Sequence, residues 1–188
     1  MAQQTQTRIT TTEYYDLPAY KENDFIQLIA GEVIIPMPPI VKHQIIVSTI
    51  LVLLSKIAET IGGLAIVAPT EVKLDDENVF EPDVFYIVPE NMSIAEQDEK
   101  RIVGAPDLIV EVLSPSTARY DRQQKYLAYQ EHGVREYWIV DPVHETIEVW
   151  TLSDEARFEL QGAFSAGDTF TSTCLQADIS ADNIFATK

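Results

Sequence analysis

The chain has 188 residues, enough for one domain with a proper core, and ordinary hydrophobic (46%) and charged (23%) fractions. Its single cysteine, Cys174, excludes an intrachain disulfide and a multi-cysteine zinc site. Thirteen Lys plus Arg against thirty Asp plus Glu give a net charge of −17, which argues against tight nonspecific DNA binding through a broadly basic surface.

The polar start, Met1 to Thr7, lacks the apolar stretch of a signal peptide. Residues 1–10 are expected to be a disordered tail, and 11–188 a single domain. A short helix is expected to start in Thr11-Thr12-Glu13-Tyr14-Tyr15, and residues 25–35 read as two strands turning near Gly31. Pro36, Pro38 and Pro39 close that hairpin, because proline cannot donate to a ladder.

Residues 41–61 carry apolar side chains at a helical period, Ile46, Ile50, Leu53, Leu54 and Ile57, with Gly62-Gly63 as the stop. This helix is so apolar that most of it is expected to be buried against a sheet. Its strongest apolar run, residues 45–54, is about half of what a bilayer span requires. A soluble, cytoplasmic protein without a membrane partner is expected.

Strands follow at 71–74 and 82–88, then a polar acidic loop over 89–105 with one helical turn. Residues 108–113, Leu-Ile-Val-Glu-Val-Leu, are short, β-branched and apolar on both faces, as a central strand is. A turn at Ser114-Pro115-Ser116-Thr117 feeds a helix to about His132, with Thr117 or Asp121 as cap and Gly133 as stop. The next strand, 136–140, pairs in parallel with 108–113 through a right-handed crossover. Residues 146–152 return antiparallel, and weaker strands near 158–161 and 169–173 precede a small helix docked through Ile184 and Phe185.

Two acids stand out. Glu111 lies inside the central strand, where a carboxylate must be paired, protonated or bound to a metal. Asp83 lies in Glu81-Pro82-Asp83-Val84, on another strand-like segment. If the two strands are neighbours with both acids on one face, the carboxylates converge on one cation. Mg²⁺ commonly takes one or two carboxylates plus waters and substrate phosphate. Read singly, Asp83 also fits a turn after proline. Lys125, four residues after Asp121, also fits an ordinary exposed Asp–Lys pair. Glu32 is a possible third acid and His43 a possible proton shuttle, each with an ordinary alternative: an exposed hairpin acid and a capping histidine. Tyr126, Tyr129, Tyr137 and Trp138 read as core aromatics. No P-loop, dinucleotide fingerprint or nucleophile elbow is present.

Taken in order, Glu81-Pro82-Asp83-Val84, the run 106–117 (Pro-Asp-Leu-Ile-Val-Glu-Val-Leu-Ser-Pro-Ser-Thr), Asp121-Arg122 with Lys125, and 133–142 (Gly-Val-Arg-Glu-Tyr-Trp-Ile-Val-Asp-Pro) resemble a large bacterial family. It is the family described as putative restriction endonucleases, formerly a domain of unknown function, within the PD-(D/E)xK nuclease superfamily. The resemblance implies a restriction-endonuclease-like α/β (α+β) fold, a mixed sheet flanked by helices. It implies Mg²⁺-dependent hydrolysis of DNA phosphodiesters, with Mn²⁺ as a substitute, by a homodimer or higher homo-oligomer. By position, Asp83 and Glu111 would be the metal-binding acids. The lysine expected two residues after the second acid is replaced by Leu113, so the match for the basic position is Lys125 on the following helix, with Gln124 as the fallback. A different class of function, a catalytically inactive nuclease-like binding or regulatory module, is motivated by the charge of −17.

Overall fold

The structure, a computed structural model, describes residues 8–22 and 25–185. A six-stranded mixed sheet forms its centre. Its strands lie in the spatial order Phe158–Phe164, Thr146–Leu152, Glu136–Asp141, Leu108–Val112, Val84–Ile87, Leu64–Val67. Leu108–Val112 occupies the interior, parallel to Glu136–Asp141 and antiparallel to Val84–Ile87. All five of its residues are buried, which is why neither of its faces needs a polar stripe.

The two faces are covered differently. Val110 and Val112 alternate with Ile109 and Glu111. The first pair joins a core with Ile46, Ile50 and Leu54 of the long helix Val41–Ile61, and with Ile184 of the last helix, Asp182–Phe185. On the opposite face, Phe85, Ile109, Tyr137 and Ile139 pack with Ala128 and Tyr129 of the helical segment 118–131. A second, five-stranded sheet, in the order Glu32–Ile34, Gln27–Ile29, Val79–Phe80, Val72–Lys73, Ile102–Val103, contributes Ile29, Val72 and Phe80 to that core. The fold is α+β, with mixed sheets flanked by helices.

Local rules account for the main element ends. The hairpin turn at Ala30-Gly31 holds both residues at positive φ (51° and 76°), the primed geometry that matches strand twist. Gly62, at φ 85°, closes the long helix with its N–H donating to Ala58 O.

Three expectations change. Residues 1–7 of the expected tail lie outside the described residues, but 8–10 are tied down: the Ile9 N–H donates to Gly31 O at 2.9 Å. Thr10 forms a capping box with Glu13 that starts helix Thr11–Asp16. The long helix is not mostly buried, because only His43, Ile46, Val47, Ile50 and Leu54 are. Its length and composition would suit a membrane span, yet it packs one face on the sheet and leaves Val41, Ile45 and Val52 exposed. Finally, the segment 118–131 is not a regular α-helix, since it widens into a π turn over Asp121–Lys125.

Candidate active site

The acids come from adjacent antiparallel strands. Val84 faces Val110, Phe85 faces Ile109 and Tyr86 faces Leu108. One further step of that register sets position 83 across from 111. Asp83 stands just before its strand begins, where its Oδ2 accepts the Val112 N–H at 2.8 Å. His43, in the first turn of the long helix, brings Nε2 to 3.3 Å from the same oxygen.

Glu111 points into the face covered by the segment 118–131. Its Oε1 accepts from Lys125 Nζ at 2.8 Å and from the Tyr129 hydroxyl at 2.7 Å. Lys125 Nζ is also 3.2 Å from Asp121 Oδ1. The π turn brings Asp121 and Lys125, both buried, onto this face. Such widened turns are frequent at functional sites. The Tyr137 hydroxyl, from the neighbouring strand, donates to Asp121 O at 3.0 Å.

The electrostatics follow from two acids sharing one cation. Burial pushes Glu111 up to about 8, against the opposing pull of the Lys125 ammonium, with Asp121 and Asp83 adding to the rise. Burial raises Asp121 as well. Burial alone would lower Lys125, but the charges of Glu111 and Asp121 outweigh it and hold the ammonium above its ordinary value. For His43 burial also acts downward, and the Asp83 hydrogen bond and charge reverse it, so the net direction is up.

Asp83, Glu111, Lys125 and His43 line one cavity of about 290 Å³, together with Glu81, Ser114 and Thr117. Among the described residues no three His, Cys, Asp or Glu side chains are placed to hold a metal, so a cation here would rest on two carboxylates. Their free oxygens fit that role. The bonds to Asp83 use Oδ2 and those to Glu111 use Oε1, which leaves Asp83 Oδ1 and Glu111 Oε2 as hard oxygen donors of the kind Mg²⁺ prefers.

The other expected residues fall elsewhere. Glu32 sits half-buried on its hairpin strand and does not line the cavity. Gln124 does not line it either, and its Oε1 is buried without a hydrogen-bond partner among the described residues. Two participants escape a reading by residue type. Asp121 is a buried member of the ion cluster, where its spacing to Lys125 suggests an exposed pair. Tyr129, which reads as a core aromatic, donates its hydroxyl to Glu111. The available signal was Tyr129 lying four residues after Lys125, on the same side of the helix.

The sequence pattern of the family described as "Uma2: Putative restriction endonuclease" matches residues 11–183. The chain belongs to this family. Among solved structures, a "putative nuclease belonging to DUF820" from Anabaena variabilis is similar, with a TM-score of 0.77 and 20% identity over 95% of this chain and 98% of that one. At that identity the likeness shows a shared fold. No curated protein matches the chain. Membership of the Uma2 family agrees with the resemblance carried by the motifs from Glu81 to Pro142.

Proposed function

We propose that the protein is a Mg²⁺-dependent endonuclease that hydrolyses DNA phosphodiester bonds. The observation that carries this reading is the meeting of Asp83, Glu111 and Lys125 in one cavity, with Lys125 Nζ 2.8 Å from Glu111 Oε1. Lys125 thereby fills, from the following helix, the position that Leu113 leaves without a cation.

Asp83 and Glu111 would hold Mg²⁺, or Mn²⁺ in its place. When bound, the ion polarises the scissile phosphate and lowers the pKa of a water. Lys125 keeps its proton in this setting and offers N–H donors to the negative charge that builds on the phosphoryl oxygens. Tyr129 and Asp121 fix the direction of Lys125 and Glu111, so neither group has to reorganise during reaction. His43 orients the Asp83 carboxylate through Oδ2, leaving Oδ1 free to take the ion. As a homodimer, the protein would present two such cavities.

Plasmid nicking with Mg²⁺ or Mn²⁺ tests the reading. Wild type is expected to nick. Asp83→Ala and Glu111→Ala should abolish nicking, and Lys125→Ala should slow it by about 10²–10³-fold, the usual effect of losing one transition-state donor. Equal activity in all four preparations removes the assigned site.

A second reading, a metal-binding regulatory module without catalysis, is favoured by one observation. Six of the thirteen Lys and Arg residues (Lys42, Lys73, Arg101, Arg122, Lys125 and Arg135) are already paired with acids. Calorimetric Mg²⁺ binding without DNA affinity or cleavage would select it.

A further inference from the structure

The cavity does not end at its acids. Phe25, Pro36, Met37 and Pro39 form its outer wall. Pro39 and Gln44 also line a second hollow, which continues along the first half of the long helix past Val41, Ile45, Ser48 and Thr49. The two hollows therefore make one track, which starts at Glu111 and Lys125 and leaves over the helix. Its rim is apolar and open to solvent, with Phe25 40% and Met37 66% exposed.

The charge along this track is unlike that of a duplex-binding cleft. Among the described residues no Arg lines either hollow, and the only basic side chains there are His43 and Lys125. Each already faces an acid of the site, Asp83 and Glu111 respectively. A DNA duplex presents about one negative charge per 1.7 Å of axis, whereas one strand presents about one per 3.4 Å, so an unpaired strand asks for roughly half as many cationic contacts. Access points the same way. Glu111 and Lys125 are 3% and 1% exposed at the base of a hollow of about 290 Å³. A backbone freed from its complement can enter such a space more readily than one held in a double helix. Unpaired bases also offer flat apolar faces, which suit exposed aromatic and thioether side chains.

We propose that the substrate is an unpaired nucleic-acid strand, whose bases pack on Phe25 and Met37 and which follows the groove past Val41 and Ile45. The inference rests on the nuclease reading of the same cavity and adds to it the class of substrate. Phe25 and Met37 are assigned to substrate binding, and the scissile phosphate is delivered inward to Asp83, Glu111 and Lys125.

The test uses the full-length protein and one labelled DNA oligonucleotide, offered as a single strand and as its perfect duplex. Cleavage is followed with Mg²⁺ and Mn²⁺, and binding by fluorescence anisotropy with Ca²⁺. The expected result is cleavage and binding of the single strand at least about tenfold better than of the duplex. Phe25→Ala and Met37→Ala should each weaken single-strand binding by about three- to tenfold, toward the lower end of what a lost base-stacking contact costs. Equal or better handling of the duplex overturns the proposal, as does unchanged single-strand binding in both variants. Val41→Asp and Ile45→Asp, checked by sedimentation, address a rival occupant. If they dissociate a dimer and leave single-strand binding intact, the groove belongs to a second copy and the proposal falls. The nuclease reading fails separately, if neither oligonucleotide is cut above the level of Asp83→Ala. In that event the anisotropy comparison still decides strand preference.

Discussion

Lys125 and Glu111 meet at 2.8 Å with both side chains almost wholly withdrawn from water. Their contact holds the segment 118–131 to the central strand, and it also fixes the charge balance of the cavity. A buried ion pair of this kind contributes little net stability, because desolvation of both ions offsets most of their attraction. Removing one partner is a different matter. Lys125→Met would leave Glu111 and Asp121 buried without a cation, and should destabilise the fold by about 3–5 kcal/mol. Urea unfolding at pH 9, above the raised value of Glu111, measures this. The loss should shrink as pH falls through about 8, where Glu111 takes up its proton and no longer needs the ammonium.

Glu111 predicts a second pH effect, of defined sign. Its folded-state pKa is raised to about 8 from an unfolded 4.5. Between those values the folded protein binds more protons than the unfolded chain, so stability falls as pH rises across that window. The contribution is fully present below about pH 4.5 and is lost as pH passes through about 8. Because Glu111, Asp121 and Lys125 interact strongly, the slope belongs to the cluster as a unit. Glu111→Gln, which keeps the shape and cannot ionise, should flatten the profile. Thermal midpoints of both proteins without divalent metal, taken from pH 5 to 8.5, provide the comparison. Parallel curves would refute the assignment.

His43 supplies an independent probe of Asp83. Its net shift is upward because the Asp83 carboxylate outweighs the burial of the ring. A raised histidine stabilises the fold fully below the unfolded value of about 6.5, and this is lost as pH rises through the folded value. The imidazole resonances of His43 should therefore titrate above 6.5 in wild type. In Asp83→Asn only burial remains as the dominant influence, and the midpoint should drop below 6.5. Saturating Mg²⁺ should lower it as well, since a cation on Asp83 competes with the imidazolium.

These groups also mark where sequence reasoning succeeds and where it stops. Leu108–Val112 was legible because an uninterrupted apolar run bounded by turns fits few structures other than a central strand, and Glu111 was conspicuous within it. The long helix was legible from its period. Its exposed outer face was not, because apolar residues at Val41, Ile45 and Val52 look the same whether a sheet covers them or solvent does. The strands Leu64–Val67, Val79–Phe80, Ile102–Val103 and Ala177–Ser180 were missed. Each has two to four residues, too few to display a period, and depends on distant partners to form. Asp121 was hidden for another reason. An Asp followed four residues later by Lys looks like solvent-exposed helix, and only the π turn and the neighbouring carboxylate turn both inward. The site was thus readable where a residue was out of place in its own segment, and unreadable where the third dimension changed its meaning.

The last prediction concerns a carboxylate far from the candidate chemistry. Glu136, at the start of its strand, is fully buried and has no ion-pair partner among the described residues. It is satisfied entirely by donors. Oε1 accepts from Trp138 Nε1 at 2.7 Å, and Oε2 accepts from the Thr173 N–H and hydroxyl, each at 2.8 Å, and from the Cys174 N–H at 3.1 Å. This one side chain therefore ties the turn at 173–174 to the main sheet. Glu136→Ala strands two buried donors, Trp138 Nε1 and the Cys174 N–H, each costing about 1–3 kcal/mol when left unsatisfied, and releases two donors of the exposed Thr173 that water can satisfy. A net loss of about 3–5 kcal/mol is expected in urea unfolding. Glu136→Gln should lose less, because its carbonyl oxygen can still accept from Thr173 or Trp138 while its amide opposes another donor. The Mg²⁺ affinity of the protein that remains folded should match wild type, since no bond of Glu136 reaches the cavity that holds Asp83 and Glu111. A variant that unfolds at the wild-type urea midpoint would show that the turn holds without this carboxylate.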